Sequence, residues 1–93
     1  MYDAVKYRSR TDIAAAILEI SLDGSIKTQI MYKAFLSFPQ LKEYLGVLEE
    51  KGLLEYEPVK HEYHTTEKGK QFLKMYKDVG QMIFPNPASK KKS

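Results

Sequence analysis

A mostly helical α+β domain is what three features of this 93-residue sequence predict. Within Thr28–Leu54, two adjacent segments carry apolar residues at the three-and-four spacing of amphipathic helices, with a cap between them that leaves only a tight turn. A loosely alternating run follows, and after it comes one more amphipathic segment. The chain is long enough for one self-sufficient core and too short for a second domain.

Taken in order, residues 1–9 show no period and read as a flexible arm, in which Arg8, with Arg10 just beyond it, has the charge to reach a groove. From Arg10 the residues Ile13, Ala16, Ile17 and Ile20 share one face, Ser9 is placed to cap, and Asp23-Gly24 supplies a stop, so a first core helix is predicted. Leu18 falls off that stripe and is assigned to a contact with the C-terminal helix or a partner. Ser25 to Lys27 is too short for a full strand but suits one pair of ladder bonds to a later hairpin.

The central pair of helices follows. Ile30, Met31 and Ala34 share a face in the first, and Leu41, Tyr44, Leu45 and Leu48 share one in the second. Ser37 and Gln40 have the spacing of a capping box, and Pro39 sits in the first turn, where its missing N–H is harmless. Gly52 ends the second helix. In LLEYEPVKHEYHT, Leu54, Tyr56 and Val59 alternate with Glu55 and Glu57, and Tyr63 sits between His61, Glu62 and His64. That is a hairpin pattern, with Pro58 in or beside a turn near Lys60. Thr65, Thr66 and Glu67 then open a last helix bearing Phe72, Met75, Tyr76, Val79 and Ile83 on one stripe, ended by Pro85 and Pro87. The order helix, short strand, helix, helix, strand, strand, helix is that of a winged helix-turn-helix with an added C-terminal helix. The predicted organisation is an arm at 1–9, the winged unit at 10–65, the C-terminal helix at 66–84 and a disordered basic tail at 85–93.

Charge is distributed unevenly. Residues 1–34 hold five basic and four acidic side chains, 35–65 hold three and six, and 66–93 hold seven and two. The basic end favours a polyanion, whereas the acidic middle opposes phosphate along its whole length. No cysteine is present, which suits a reducing compartment, and the expected location is cytoplasmic. There is no signal-peptide pattern and no run approaching the roughly 20 apolar residues of a bilayer span. No nucleophile has an adjacent base and no glycine-rich phosphate loop occurs, so no enzyme and no cofactor or small-molecule ligand is expected. His61 and His64 are placed three apart on a predicted strand, on opposite faces, and no metal site is expected.

The run TQIMYKAFLSFPQLKEYLGVLEEKGLL resembles the signature of archaeal single-domain winged-helix proteins, predicted transcriptional regulators that include small dimeric chromatin proteins, and YHTTEKGKQFL resembles the start of their last helix. The likeness covers about residues 10 to 83. It implies double-stranded DNA binding through the second helix of the pair, a nucleoid location, and homodimerisation through the C-terminal helix. That helix has room for only about 18 residues before Pro85, near 27 Å, so a long coiled-coil rod is excluded and a compact helix pair is not.

Helical geometry then nominates the contacts. With Leu41, Tyr44, Leu45 and Leu48 facing inward, Ser37, Gln40, Lys42 and Glu43 lie at the N-terminal end of the helix, the end that reads bases. Gln40 suits adenine, Lys42 suits guanine or phosphate, and Glu43 suits cytosine N4. Lys27 and Lys33 are placed to hold phosphates, and Lys60 and His61 are the wing candidates. Because the hairpin sets Glu55, Glu57 and Glu62 against Lys60 alone, its own phosphate contribution is expected to be small. Phe72, Tyr76, Val79 and Ile83 follow four, three, four spacing, the seam of a helix pair, and are the dimerisation candidates. The aromatic residues Tyr32, Phe35, Phe38 and Tyr44 are expected mostly in the junction between the two central helices. The competing reading is a protein-interaction module that docks through the acidic hairpin and the last helix without touching DNA.

Overall fold

The computed structural model describes residues 8–83. Helix α1 (Arg10–Ile20) begins at Ser9, whose Oγ accepts the Asp12 N–H at 3.0 Å while the Asp12 carboxylate accepts the Ser9 N–H at 2.9 Å. This reciprocal cap satisfies two amide donors that a helix end otherwise leaves unpaired. Gly24, at φ 94°, turns the chain after α1. Helix α2 (Lys27–Lys33) and helix α3 (Phe38–Glu50) then form the helix-turn-helix. At Ser37 the predicted box closes, Oγ accepting the Gln40 N–H at 3.3 Å and the Gln40 amide oxygen accepting the Ser37 N–H at 2.9 Å. Gly52 takes φ 76°, the left-handed stop that only glycine enters freely.

Strands β1 (Leu54–Glu57) and β2 (Glu62–Thr65) pair antiparallel, with Leu54 opposite Thr65 and Glu57 opposite Glu62. The single pair of ladder bonds expected from the short segment after α1 is present. Ser25 N–H donates to the Tyr63 carbonyl at 3.0 Å and Tyr63 N–H returns to the Ser25 carbonyl at 2.8 Å. Thr65 fastens β2 to the end of α1, its hydroxyl donating to the Leu18 carbonyl at 2.6 Å and its N–H to the Ser21 carbonyl at 3.1 Å. The wing is thereby tied to the helical core rather than projecting from α3 alone.

Helix α4 (Glu67–Ile83) starts under Thr66, whose Oγ1 accepts the Gly69 N–H at 3.0 Å. Gly69 is buried against the short link between α3 and β1, where a Cβ would collide with the Leu53 carbonyl oxygen. The core joins Ile17 and Leu18 of α1, Ile30 and Ala34 of α2 with its cap, Leu36 of the turn, Leu41, Tyr44, Leu45 and Leu48 of α3, and Leu54, Tyr63 and Leu73. Each large aliphatic side chain removed from water in this way contributes about 2 kcal/mol.

Four expectations change. Of the two contacts expected for Leu18, the C-terminal helix or a partner, the second is excluded, because Leu18 is fully buried in the chain's own core and α1 is covered on more than one side, by α2, by the hairpin and by α4. In α4 the residue that anchors the helix is Leu73, outside the predicted stripe. The hairpin turn spans 58–61, as expected from Pro58 and Lys60, but it leaves Val59 at 84% exposure rather than on an inward face and takes in His61, at φ 58°, which was expected on a strand. Of the four aromatic residues assigned to the helix junction, only Tyr44 is buried; Tyr32, Phe35 and Phe38 are exposed. Of the arm expected over 1–9, residues 1–7 lie outside the described residues, as do residue 84 of the predicted C-terminal helix and the tail over 85–93, while Ser9 caps α1 and Arg8 bonds the Phe35 carbonyl.

Candidate nucleic-acid interface

The outward end of α3 is built by its own cap. Phe38 and Pro39 begin the helix, Ser37 and Gln40 hold each other, and the inward positions are filled by Leu41, Tyr44 and Leu45. Since the Gln40 oxygen is bonded to the Ser37 amide, its NH2 group is what it can still offer outward. Lys42 is exposed and its ammonium lies 5.9 Å from the centre of the Phe38 ring, within range of an ion-to-ring attraction. Glu43 is engaged: Arg10 of α1 bonds its carboxylate at 2.9 Å and also lies 5.0 Å over the Tyr44 ring. Arg10 thus belongs to the α1–α3 junction. Arg8 likewise donates to the carbonyl of Phe35 in the helix-turn-helix turn, at 3.2 Å.

Phe35 has φ 57°, a conformation that costs a non-glycine residue roughly 1 kcal/mol or more. It ends α2 as glycine commonly ends a helix, and its ring is 68% exposed. Tyr32 before it and Phe38 after it are 75% and 53% exposed. Three exposed aromatic side chains within seven residues surround the turn, and spacing alone gave no signal of them, because the three-and-four pattern registers only which residues face inward.

Lys27 and Lys33, at the two ends of α2, are both exposed. Lys27 and His61 line one shallow hollow between the start of α2 and the wing, together with Ile26, Thr28, Tyr56 and Tyr63. The wing tip itself is organised by a carboxylate. Glu57 accepts the backbone N–H groups of Lys60 at 2.8 Å and Val59 at 3.0 Å, and these bonds hold its pKa below the usual carboxylate value. Those amides are therefore occupied, and the wing's donors to an anion are the side chains of Lys60 and His61, the latter bonded through Nδ1 to the Tyr56 hydroxyl at 2.8 Å. Among the described residues no group of three or more histidine, aspartate or glutamate side chains is placed to hold a metal ion, and no helix is long and apolar enough to cross a membrane.

On α4, Phe72 and Tyr76 are half-buried and nearly parallel, 6.4 Å apart at 12°, whereas Val79 and Ile83 are exposed. The Tyr76 hydroxyl donates to the Asp12 carboxylate, joining α4 to the α1 cap, and it is the first of the causes that hold Asp12 below the ordinary carboxylate pKa. The four seam candidates therefore divide, two packed partly within the chain and two facing solvent.

Among solved structures the chain is similar to the crystal structure of Sso10a-2, described as a DNA-binding protein from Sulfolobus solfataricus, with a TM-score of 0.70 at 23% identity, covering 91% of this chain and 92% of that one. At that identity the likeness speaks to the fold. No curated protein matches the chain. Residues 7–84 match the family model described as winged helix-turn-helix, a span that takes in every described helix and both strands, and the chain therefore belongs to the winged helix-turn-helix family.

Proposed function

We propose that the chain binds double-stranded DNA by inserting the N-terminal end of α3 into the major groove, as a homodimer paired through α4, and that it serves as a transcriptional regulator or a chromatin component. The observation that carries this reading is the charge of the helix-turn-helix. From Lys27 to Lys42 there are three lysines and no carboxylate, and all three lysines are exposed, at the two ends of α2 and near the start of α3. The carboxylate next to Lys42, that of Glu43, is paired with Arg10, and Lys27 and Lys33 suit phosphates on either side of a groove occupied by Ser37, Gln40 and Lys42. Glu43 is assigned to holding Arg10 rather than reading cytosine, since its carboxylate is already paired. Lys60 and His61 add one weak phosphate contact at most, with Glu57 close behind them. The solved relative of the same fold, a DNA-binding protein, supports the reading.

Dimerisation is supported by the apolar side chains that α4 leaves exposed, Met75, Val79, Met82 and Ile83. The second reading, a protein-docking module, draws on the same face and on the acidic hairpin with Glu55, Glu57 and Glu62. An electrophoretic shift with duplex DNA at low salt separates them. The DNA-binding reading expects a retarded complex that persists when residues 90–93 are removed, and an unshifted duplex would transfer the fold to protein docking.

A further inference from the structure

We propose that the exposed rings of Phe35 and Phe38 read the 5-methyl groups of thymine, so that the chain prefers duplex sites presenting thymines in the major groove. This inference rests on the reading that α3 enters that groove, and it follows from what α3 has left to offer there. Ser37 and Gln40 are bonded to each other, and Glu43 is bonded to Arg10. Lys42 stands near the Phe38 ring. Beside the outward Gln40 NH2 group and the Lys42 ammonium, the apolar side chains exposed at the turn and the start of α3 are those of Phe35, Phe38 and Pro39, with Lys33 and Lys42 close to them in sequence and no carboxylate between Lys27 and Lys42. The lysines suit phosphates on both sides of a groove, and within the major groove the apolar group on a base edge is the thymine C5-methyl. Phe35 keeps its ring outside the core at the cost of a left-handed backbone, where glycine would fit without strain. Neither ring is needed to close the core, whose members at this junction are Ile30, Ala34, Leu36 and Leu41.

The test is a fluorescence-anisotropy titration of the full chain with a labelled thymine-rich duplex and with the same duplex carrying deoxyuridine at every thymine, which removes only the methyl groups. Binding is expected to weaken about fourfold for each methyl contacted, and 5-methylcytosine placed in a G·C duplex should strengthen binding by a similar factor. Phe38→Ala and Phe35→Gly should each shrink the difference between the thymine and deoxyuridine duplexes, with Phe35→Gly melting no lower than wild type because it relieves the strained turn. Lys33→Ala should instead weaken both duplexes equally. The proposal is overturned if wild type binds the two duplexes alike, if the double variant Phe35→Gly/Phe38→Ala discriminates as wild type does, or if single-stranded oligothymidine binds more tightly than duplex, which would assign the rings to base stacking. Absence of any duplex binding at low salt would be a different failure, that of α3 in the groove, and it would remove this inference with it.

Discussion

Helices α3 and α4 have similar sequences in one respect and opposite fates. Both carry an apolar stripe at helical spacing. In α3 the stripe disappears into the core, with Leu41, Tyr44, Leu45 and Leu48 all buried. In α4 only Gly69 and Leu73 are buried, while Met75, Val79, Met82 and Ile83 stay exposed and Phe72 and Tyr76 lie half-covered against α1. Amphipathic spacing thus establishes that a helix has an apolar face, and the rest of the fold decides what covers it. In α3 the covering is α2, α1 and the hairpin. In α4 the covering runs out beyond Tyr76, which is where the proposed second copy begins.

The largest contrast to expect is in stability. Leu45→Ala, at 3% exposure, should lower unfolding free energy by about 2–5 kcal/mol in a urea melt, whereas Val79→Ala at a concentration low enough to hold the monomer should change it by less than about 0.5 kcal/mol. Equal losses would mean that α4 is covered within its own chain. Val79→Glu sharpens the same point, because it places a charge on the exposed stripe of α4; sedimentation equilibrium should then report monomer, and persistence of the dimer would move the interface off this face.

A smaller effect tests the link from α4 to α1. Tyr76→Phe removes a hydroxyl from the Asp12 carboxylate, a hydrogen bond to a charged group worth about 1.5–3 kcal/mol when well shielded and less at this half-exposed site. Asp12 has its pKa lowered in the folded chain, first by this bond and then by the Ser9 amide, so the stabilisation it confers is present above the ordinary carboxylate pKa of 3.8 and is lost as pH falls through the lower folded value. Acid titration of stability should therefore be shallower below about pH 4 in Tyr76→Phe than in wild type. An identical acid profile would remove the bond from the account. A further small effect belongs to Ser37→Ala, expected to cost about 1 kcal/mol in a urea melt through loss of the α3 cap.

The sequence was most informative where structure is local. The box formed by Ser37 and Gln40, the cap at Ser9 and the stop at Gly52 each depend on a few neighbouring residues or on a turn residue of restricted chemistry, and all were legible; the pairing of Ser25 with Tyr63 is long-range and was legible only as a short segment suited to a later hairpin. Leu18 and Leu73 were not assigned to the core, since their burial depends on how α1 and α4 pack, which no single stripe encodes. Pro58 located the hairpin turn, but not that His61 belongs to it, because His61 adopts the left-handed conformation where glycine or asparagine is the usual signal. In the candidate site the residues to watch were found from helical geometry, but their occupancy was not. Arg10 and Glu43 are 33 residues apart, and nothing local announces that the first takes the carboxylate of the second. The exposure of Tyr32, Phe35 and Phe38 likewise depends on a turn conformation that phenylalanine rarely takes.

The claim on which the account rests is that the outward end of α3, flanked by the α2 lysines, is the DNA-contacting surface. The most direct measurement is the salt dependence of duplex binding for wild type, Lys33→Ala, Lys42→Ala and Lys60→Ala. Lys33→Ala and Lys42→Ala should each lower affinity and reduce the slope of log K against log salt by about one where the lysine neutralises a phosphate, with a smaller change for Lys60→Ala. Slopes that are unchanged by Lys33→Ala and Lys42→Ala while duplex binding persists would contradict the account and place the DNA on another face of the molecule.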